Sequence, residues 1–448
     1  TCWNPETKQP VIGFDMGGTS TDVSRYGGAL ELTFATCIAG VRIQAPQLDI
    51  RTVAAGGGSR LFFENGMFRV GPESAGAHPG PVCYRKQGYL SVTDANLVLG
   101  RLQPKYFPQI FGPEEDQPLD LEASRTALSE LTEEINVAYS HQGRAPLSVE
   151  EVALGFLRVA NEVMVRPIRE VSVMRGFDIR KHILAAFGGA GAQHACAVAR
   201  ILGISTISIQ RFSGILSAYG IGMADTVVDR QQPFADQLGP ESLQRVQQEL
   251  DRLQAATEAE LLAQGIAAER IRSQRFLNLR YQGTDTALMI ADPRDGDFAG
   301  MFRSSYQREF GFTLQDRTIL IDDLRLRSTG TAGSLHKQPI DQAEGLPRQQ
   351  ALVPVYFSQG WQDTALYNLD DLQAGHQISG PAILIQDTAT IILEPECTAL
   401  ITPYGDVEIT LGRQERQEIS TQIDPIRLSV FSHLFMSIAE QMGRMLQK

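Results

Sequence analysis

The sequence predicts an α/β core, followed by a small α+β sandwich and a small β domain. Three observations carry this. Val11–Phe14 and His182–Phe187 are short apolar runs that each end at a glycine turn, as buried strands do. The second run passes through Gly188-Gly-Ala-Gly191 into a small-residue helix, Gln193–Leu202, and then a strand, Thr206–Gln210. That is a βαβ unit, which implies parallel pairing. From Gln338 onward, short strands and turns replace helical periodicity.

Taken in order, Val11–Phe14, Asp22–Tyr26 and Leu30–Cys37 read as a three-stranded meander with Gly27-Gly28 as its second turn. Residues 39–118 are rich in glycine and proline without low complexity, which predicts a shaped loop region with short strands. A helix opens at Asp120, with Leu121, Leu128, Leu131 and Ile135 on one face. Ser148 and Glu151 form a capping box for the next helix, and Pro167 marks its end or a kink. Leu243, Val246, Leu250, Leu253 and Leu261 give a further helix, ended by Gly265. Strands Arg275–Tyr281, Ala287–Ile290 and Ile319–Leu326, with a helix at Phe298–Phe310, complete a sandwich over Pro240–Ser328. Strands from Val353–Phe357 to Val407–Leu411 supply the β domain. The predicted domains are 1–239, 240–330, 331–412 and 413–448, the last a polar linker (Arg413–Thr421) and an amphipathic helix.

A hydrophobic fraction of 43% and a charged fraction of 21% are those of a soluble globular protein. With a net charge of −12 and both signs interspersed, a nucleic-acid or anionic-membrane surface is not expected. No apolar run is long enough to cross a bilayer. The five cysteines are widely spread and form no Cys-x-x-Cys pair, which argues against a zinc site or disulfide framework and predicts a cytoplasmic setting. The chain opens at Thr1 and stops at Lys448 inside an amphipathic helix whose apolar face lacks a visible partner. These ends predict an internal fragment.

The densest chemistry lies at Asp15–Asp22. Gly17 and Gly18 let the backbone take positive φ and approach a ligand, while Thr19, Ser20 and Thr21 add hydroxyls to the exposed amides, a combination suited to phosphate. Asp15 and Asp22 can hold a hydrated Mg²⁺ beside those oxygens. Gly188, Gly189 and Gly191 lead into a helix N-terminus, which favours an anion or a nucleotide edge. No P-loop and no Gly-x-Gly-x-x-Gly pattern is present. Gly57, Gly58, Ser59 and Arg60 read either as a second anion loop or as a tight turn with a surface arginine. His78 and His194, beside glycine turns, read as substrate or metal contacts or as structural histidines. Asp94 fits a ligand, a base or a helix cap. Cys83 and Cys196 read as packing residues, because no motif activates them.

The pairing of Phe14-Asp-Met-Gly-Gly-Thr19 with Phe187-Gly-Gly-Ala-Gly191 resembles the second half of the actin/sugar kinase/Hsp70 ATPase fold. More narrowly, Phe14–Ser24, Asp49–Phe63, Val70–Lys86, Thr93–Leu102, Phe187–Ala197, Phe212–Asp225, Gly380–Ile385 and Asp424–Gln447 resemble the hydantoinase A/oxoprolinase family, and within it the ATP-dependent 5-oxoprolinases. The resemblance implies ATP and Mg²⁺ as cofactors and 5-oxoproline, or a related cyclic amide, as substrate. It implies catalytic and metal roles for Asp15 and Asp22, and contacts to ATP from Gly17 to Thr21 and Gly188 to Gly191. It implies that 1–239 is one ATPase half, whose partners are an upstream half and a hydantoinase B-like domain begun by Asp424–Lys448. A homodimer is a further expectation. Family members often carry His or Asn where this chain has Arg51, which leaves that position without an implied role.

Overall fold

A computed structural model describes residues 3–33, 36–38, 41–43, 47–141, 143–293, 295–331, 337–412 and 425–447. The chain divides into two compact units, Thr1–Ser217 with Gln338–Met445, and Ala218–Lys337.

The first unit is built on an eight-stranded sheet in the order 377–379, 397–401, 407–411, 206–209, 183–187, 11–16, 21–26, 51–53. Val11–Met16 runs parallel to Ile183–Phe187, which runs parallel to Thr206–Ile209, so the predicted βαβ unit is present. Its helix is Gly191–Leu202, two residues longer at the start than the sequence suggested. Ile12, Phe14 and Met16 are fully buried on one face of the first strand. They pack in a core with Phe156, Val159, Val163 and Met164 of helix Val149–Val171.

Several expectations change. Leu30 makes a single antiparallel bridge to Tyr26, but the ladder neighbour of Thr21–Tyr26 is Arg51–Val53, and Leu32–Thr33 pairs instead with Gln47–Leu48. Period-2 patterning identifies a strand but not its neighbour. Of the two readings of Pro167, the helix end is excluded, because the helix runs on to Val171. The hydrogen bond that proline removes costs about 3 kcal/mol, and burial of Ile168 and Val171 offsets it. The glycine-rich region holds a hairpin, Ser59–Glu64 with Met67–Ser74, and a buried helix, Val92–Val98, that the sequence reading did not isolate.

The strands of 331–412 divide between two sheets. Gln377–Ser379, Cys397–Ile401 and Val407–Leu411 extend the central sheet, through antiparallel pairing of Val407–Leu411 with Thr206–Ile209. Ala351–Phe357, Gly360–Asn368, Ala382–Gln386 and Ala389–Leu393 form their own four-stranded sheet. Helix Pro425–Gln447 docks through Ile426 and Ser429, both buried; the Phe68 amide donates to Ser429 Oγ at 3.0 Å. The expected linker Arg413–Thr421 lies outside the described residues.

The second unit is an antiparallel sheet in the order 226–237, 319–330, 271–281, 288–291, with helices Pro240–Ala263 and Phe298–Phe310. Strand Thr226–Gln237 was missed, so the predicted boundary at 240 falls too late. Its alternating Val, Gln and Phe residues are diluted by charge, and its ladder partner lies about a hundred residues on, with Thr226 opposite Gly330.

Candidate nucleotide site

The site is assembled where two parallel neighbours, Val11–Met16 and Ile183–Phe187, both end. Ligands of open α/β sheets bind beyond the carboxyl ends of such strands. Asp15 sits directly opposite Asp22 in the antiparallel pair Val11–Met16 with Thr21–Tyr26. Opposed residues share a face, with Cβ atoms about 4.5–5.5 Å apart. Both carboxylates are half-buried. Each is held by a hydroxyl: Ser217 Oγ donates to Asp15 Oδ2 at 2.7 Å and Thr52 Oγ1 to Asp22 Oδ1 at 2.5 Å. Thr52 and Ser217 fall within the family-like stretches Asp49–Phe63 and Phe212–Asp225, where the sequence assigns neither a role. Ser217 lies 202 residues from its partner, and no local pattern joins them.

The turn between the strands closes with the Gly17 amide donating to the Ser20 carbonyl at 3.1 Å. Neither Gly17 nor Gly18 takes a positive φ, contrary to expectation, and a side chain at either would meet nothing within 4 Å. Open space, not backbone strain, is what these glycines keep for a ligand. Thr19 is exposed and Ser20 half-exposed. Thr21 is not a phosphate ligand: it is fully buried and donates to the Ala55 carbonyl at 2.6 Å. Strand alternation turns it to the core beside Val23.

The second glycine turn touches the first. The Ala190 amide donates to the Met16 carbonyl at 3.0 Å, and Gly188, at φ +79°, lies against Met16 and Asp15. Helix Gly191–Leu202 opens at the junction without a side-chain cap, which sets the positive end of its dipole there. Asp15, Asp22, Gly17–Ser20 and Gly188–Gly191 are therefore brought together.

Gly57, Gly58 and Ser59 do different work from that expected. The Gly57 and Gly58 amides donate to the Gly17 and Gly18 carbonyls at 3.0 and 2.6 Å, and Ser59 Oγ accepts from the Gly56 amide. Those donors brace the turn from below and are not available to an anion. Thr93, opening helix Val92–Val98, donates twice to the Gly57 carbonyl, at 2.8 Å from both N and Oγ1. Arg60 stacks over Tyr89 at 3.9 Å instead of reaching a carboxylate. Arg51 pairs with Asp49 at 3.1 Å.

His194 is not a substrate group. It is 1% exposed; its Nδ1 lies 2.7 Å from Asn161 Oδ1 and its Nε2 3.3 Å from Asn96 Nδ2. Asn96 also donates to Gln193 Oε1 at 3.3 Å. The network fits the tautomer with the proton on Nδ1. Burial, then the Arg101 guanidinium, hold its pKa down to about 3. A folded-state pKa below the ordinary 6.5 stabilises the fold fully above pH 6.5. That contribution is lost as pH falls from 6.5 toward 3. Urea midpoints between pH 7 and 4 should therefore fall faster for the natural chain than for His194→Gln; parallel slopes would refute this.

His78 is exposed. Asp94 is buried as the third residue of a capping box begun by Ser91, accepting also from the Cys83 amide at 2.8 Å and Ser124 Oγ at 2.7 Å. Burial, then Asp94, push the Cys83 thiol up, and the Cys397 contact and burial push Cys196 up, so neither is an activated nucleophile. Among the described residues no group of three or more His, Cys, Asp or Glu is arranged for a metal. Asp15 and Asp22 are a two-carboxylate set, which fits Mg²⁺ when phosphate oxygens and water complete its shell. A cavity of about 380 Å³ lies in the second unit, lined by Leu243, Phe298 and Ile319 and by no residue of the candidate site.

Paired glycine turns at adjacent strand ends, with a carboxylate pair between them, define an α/β protein with a candidate ligand site at the strand ends. Residues 3–230 match the family Hydantoinase/oxoprolinase and residues 325–404 its C-terminal domain, and the chain belongs to that family. It is 52% identical to a 5-oxoprolinase of Dictyostelium discoideum over 99% of its length, and 50% identical to 5-oxoprolinase 1 of Arabidopsis thaliana over 100%. It spans only 35% and 36% of those two proteins. The crystal structure of the ATP-dependent caprolactamase from Pseudomonas jessenii is similar, with a TM-score of 0.77 and 30% identity, over 90% of this chain and 59% of that one.

Proposed function

We propose that this chain supplies one face of an ATP site in a larger protein that hydrolyses 5-oxoproline to glutamate, releasing ADP and phosphate. The observation that carries the reading is the junction itself: Asp15 opposite Asp22, bounded by an open glycine turn and an uncapped helix start. The names of the relatives, 5-oxoprolinase, support the substrate. The lactam is a poor electrophile, so ATP phosphorylates its oxygen and water then attacks the activated carbon. Phosphoryl transfer depends on positioning and charge neutralisation. The amides and hydroxyls of Gly17–Ser20 position phosphate, and Gly188–Gly191 lie along the nucleotide. A Mg²⁺ held by Asp15 and Asp22 would supply charge neutralisation at the phosphates.

The similarity to a caprolactamase favours a cyclic amide even if the ring differs, which keeps a hydantoin-type substrate as the second reading. The helix Pro425–Gln447 supports a larger protein. Leu428, Phe431, Phe435, Ile438 and Met442 are exposed at alternating spacings of three and four, an apolar seam that suits a further helix.

The test is glutamate formation by the complete protein given ATP and 5-oxoproline. ATP turnover without glutamate would sink the substrate assignment. The 448-residue chain alone is expected to show no 5-oxoproline-dependent ATPase activity, since it carries one face of the cleft.

A further inference from the structure

Behind the glycine turns lies a group that the proposed reaction does not use. Arg101 follows helix Val92–Val98 and is 3% exposed. Its Nε is sealed from solvent without a hydrogen-bond partner, and no carboxylate pairs with it among the described residues. The acid facing it is Glu394, and Glu394 is already engaged by Arg200, Nε to Oε2 at 3.3 Å. Arg200 spends Nη2 on the Pro395 carbonyl and the Cys397 sulfur, at 2.6 and 3.2 Å, while its Nη1 is buried without a partner. His194, the imidazole beside Arg101, is neutral and offers no counter-charge.

Two guanidiniums, Arg101 and Arg200, thus face one carboxylate in a largely dry region. An arginine keeps its proton under these conditions. A buried charge without a counter-charge is strongly unfavourable. Glu394 cannot balance Arg101 and Arg200 together. We propose that Arg101, with Arg200 beside Glu394, forms a buried site for a small inorganic anion of chloride's size. Leu99 and Leu102 flank Arg101 in the chain, and Cys196 and Phe357 face it. All four are 2% exposed or less, which suits a monatomic ion better than a carboxylate or a phosphate.

The experiment is denaturant unfolding of the full chain at constant ionic strength, with chloride replacing gluconate. The folded-to-unfolded ratio should rise saturably, about tenfold at ten times the dissociation constant. Arg101→Gln should abolish that dependence. Crystals soaked in bromide should show an anomalous peak beside Arg101, a readout that survives if the variant fails to fold. Equal midpoints in chloride and gluconate, a chloride dependence that persists in R101Q, or water alone beside Arg101 would each overturn the site. None of these readouts requires ATP turnover, so the proposal stands or falls apart from the oxoprolinase reading.

Discussion

Asp15→Asn should leave the complete protein folded, slightly more stable, and about 10²–10³-fold slower in ATP turnover. The rate loss is of the size seen when one preorganised electrostatic group is removed from a transition state. The stability gain has the opposite sign for a separate reason. Asp15 and Asp22 face each other across a strand pair, and like charges directly opposite destabilise a sheet by about 0.2–1 kcal/mol. Asparagine keeps the shape and can still accept from Ser217 Oγ, so packing changes little. Two measurements decide the matter, a urea midpoint and an ATP-turnover rate with 5-oxoproline. Higher stability with lost turnover supports a carboxylate kept for its ligand. Unchanged turnover would remove Asp15 from the chemistry. Ser217→Ala should act in the same direction but weakly, because it orients the carboxylate without carrying charge.

Much of the core was legible before any coordinates, and the reasons are local. The apolar run Ile183–Phe187, the glycines after it and the small-residue helix form a unit whose pieces are adjacent in sequence. The capping box at Ser148 and Glu151 and the cap at Asp120 are four-residue patterns, and both are present. The opposition of Asp15 and Asp22 follows from a tight turn between two strands. What escaped was decided at long range. Arg51–Val53 takes the sheet edge because of register, and strand Val407–Leu411 joins Thr206–Ile209 across about two hundred residues. Within the site, composition located the right loops and misjudged single residues. Thr21 reads as a phosphate hydroxyl until alternation turns it inward, and Gly57 and Gly58 read as free amides until they are seen to bond Gly17 and Gly18. His194 sits one helix turn from a glycine loop, yet its partners are Asn161 and Asn96, from helices distant in sequence.

The second large effect is expected at Gly188, where two constraints meet. Its φ of +79° is a left-handed conformation that costs a residue with a side chain about 1–3 kcal/mol. A Cβ placed there would also lie 2.5 Å from Asp15 Oδ1 and against the Met16 carbonyl. That carbonyl already accepts from the Ala190 amide, so it cannot retreat without opening the contact that joins the two turns. Overpacking of this kind costs a further 1–3 kcal/mol or so. Gly188→Ala should therefore lower stability by about 2–6 kcal/mol and, in whatever fraction folds, weaken ATP binding by displacing the Asp15 carboxylate. Gly189→Ala is the stability control. Gly189 lies outside the left-handed region and its nearest neighbour to a new Cβ, the Thr388 carbonyl, is 3.9 Å away. Calorimetric ATP titrations and thermal midpoints of the complete protein would separate the two glycines. A G188A protein as stable as the natural one, with unchanged ATP affinity, would show that the two turns are not one site.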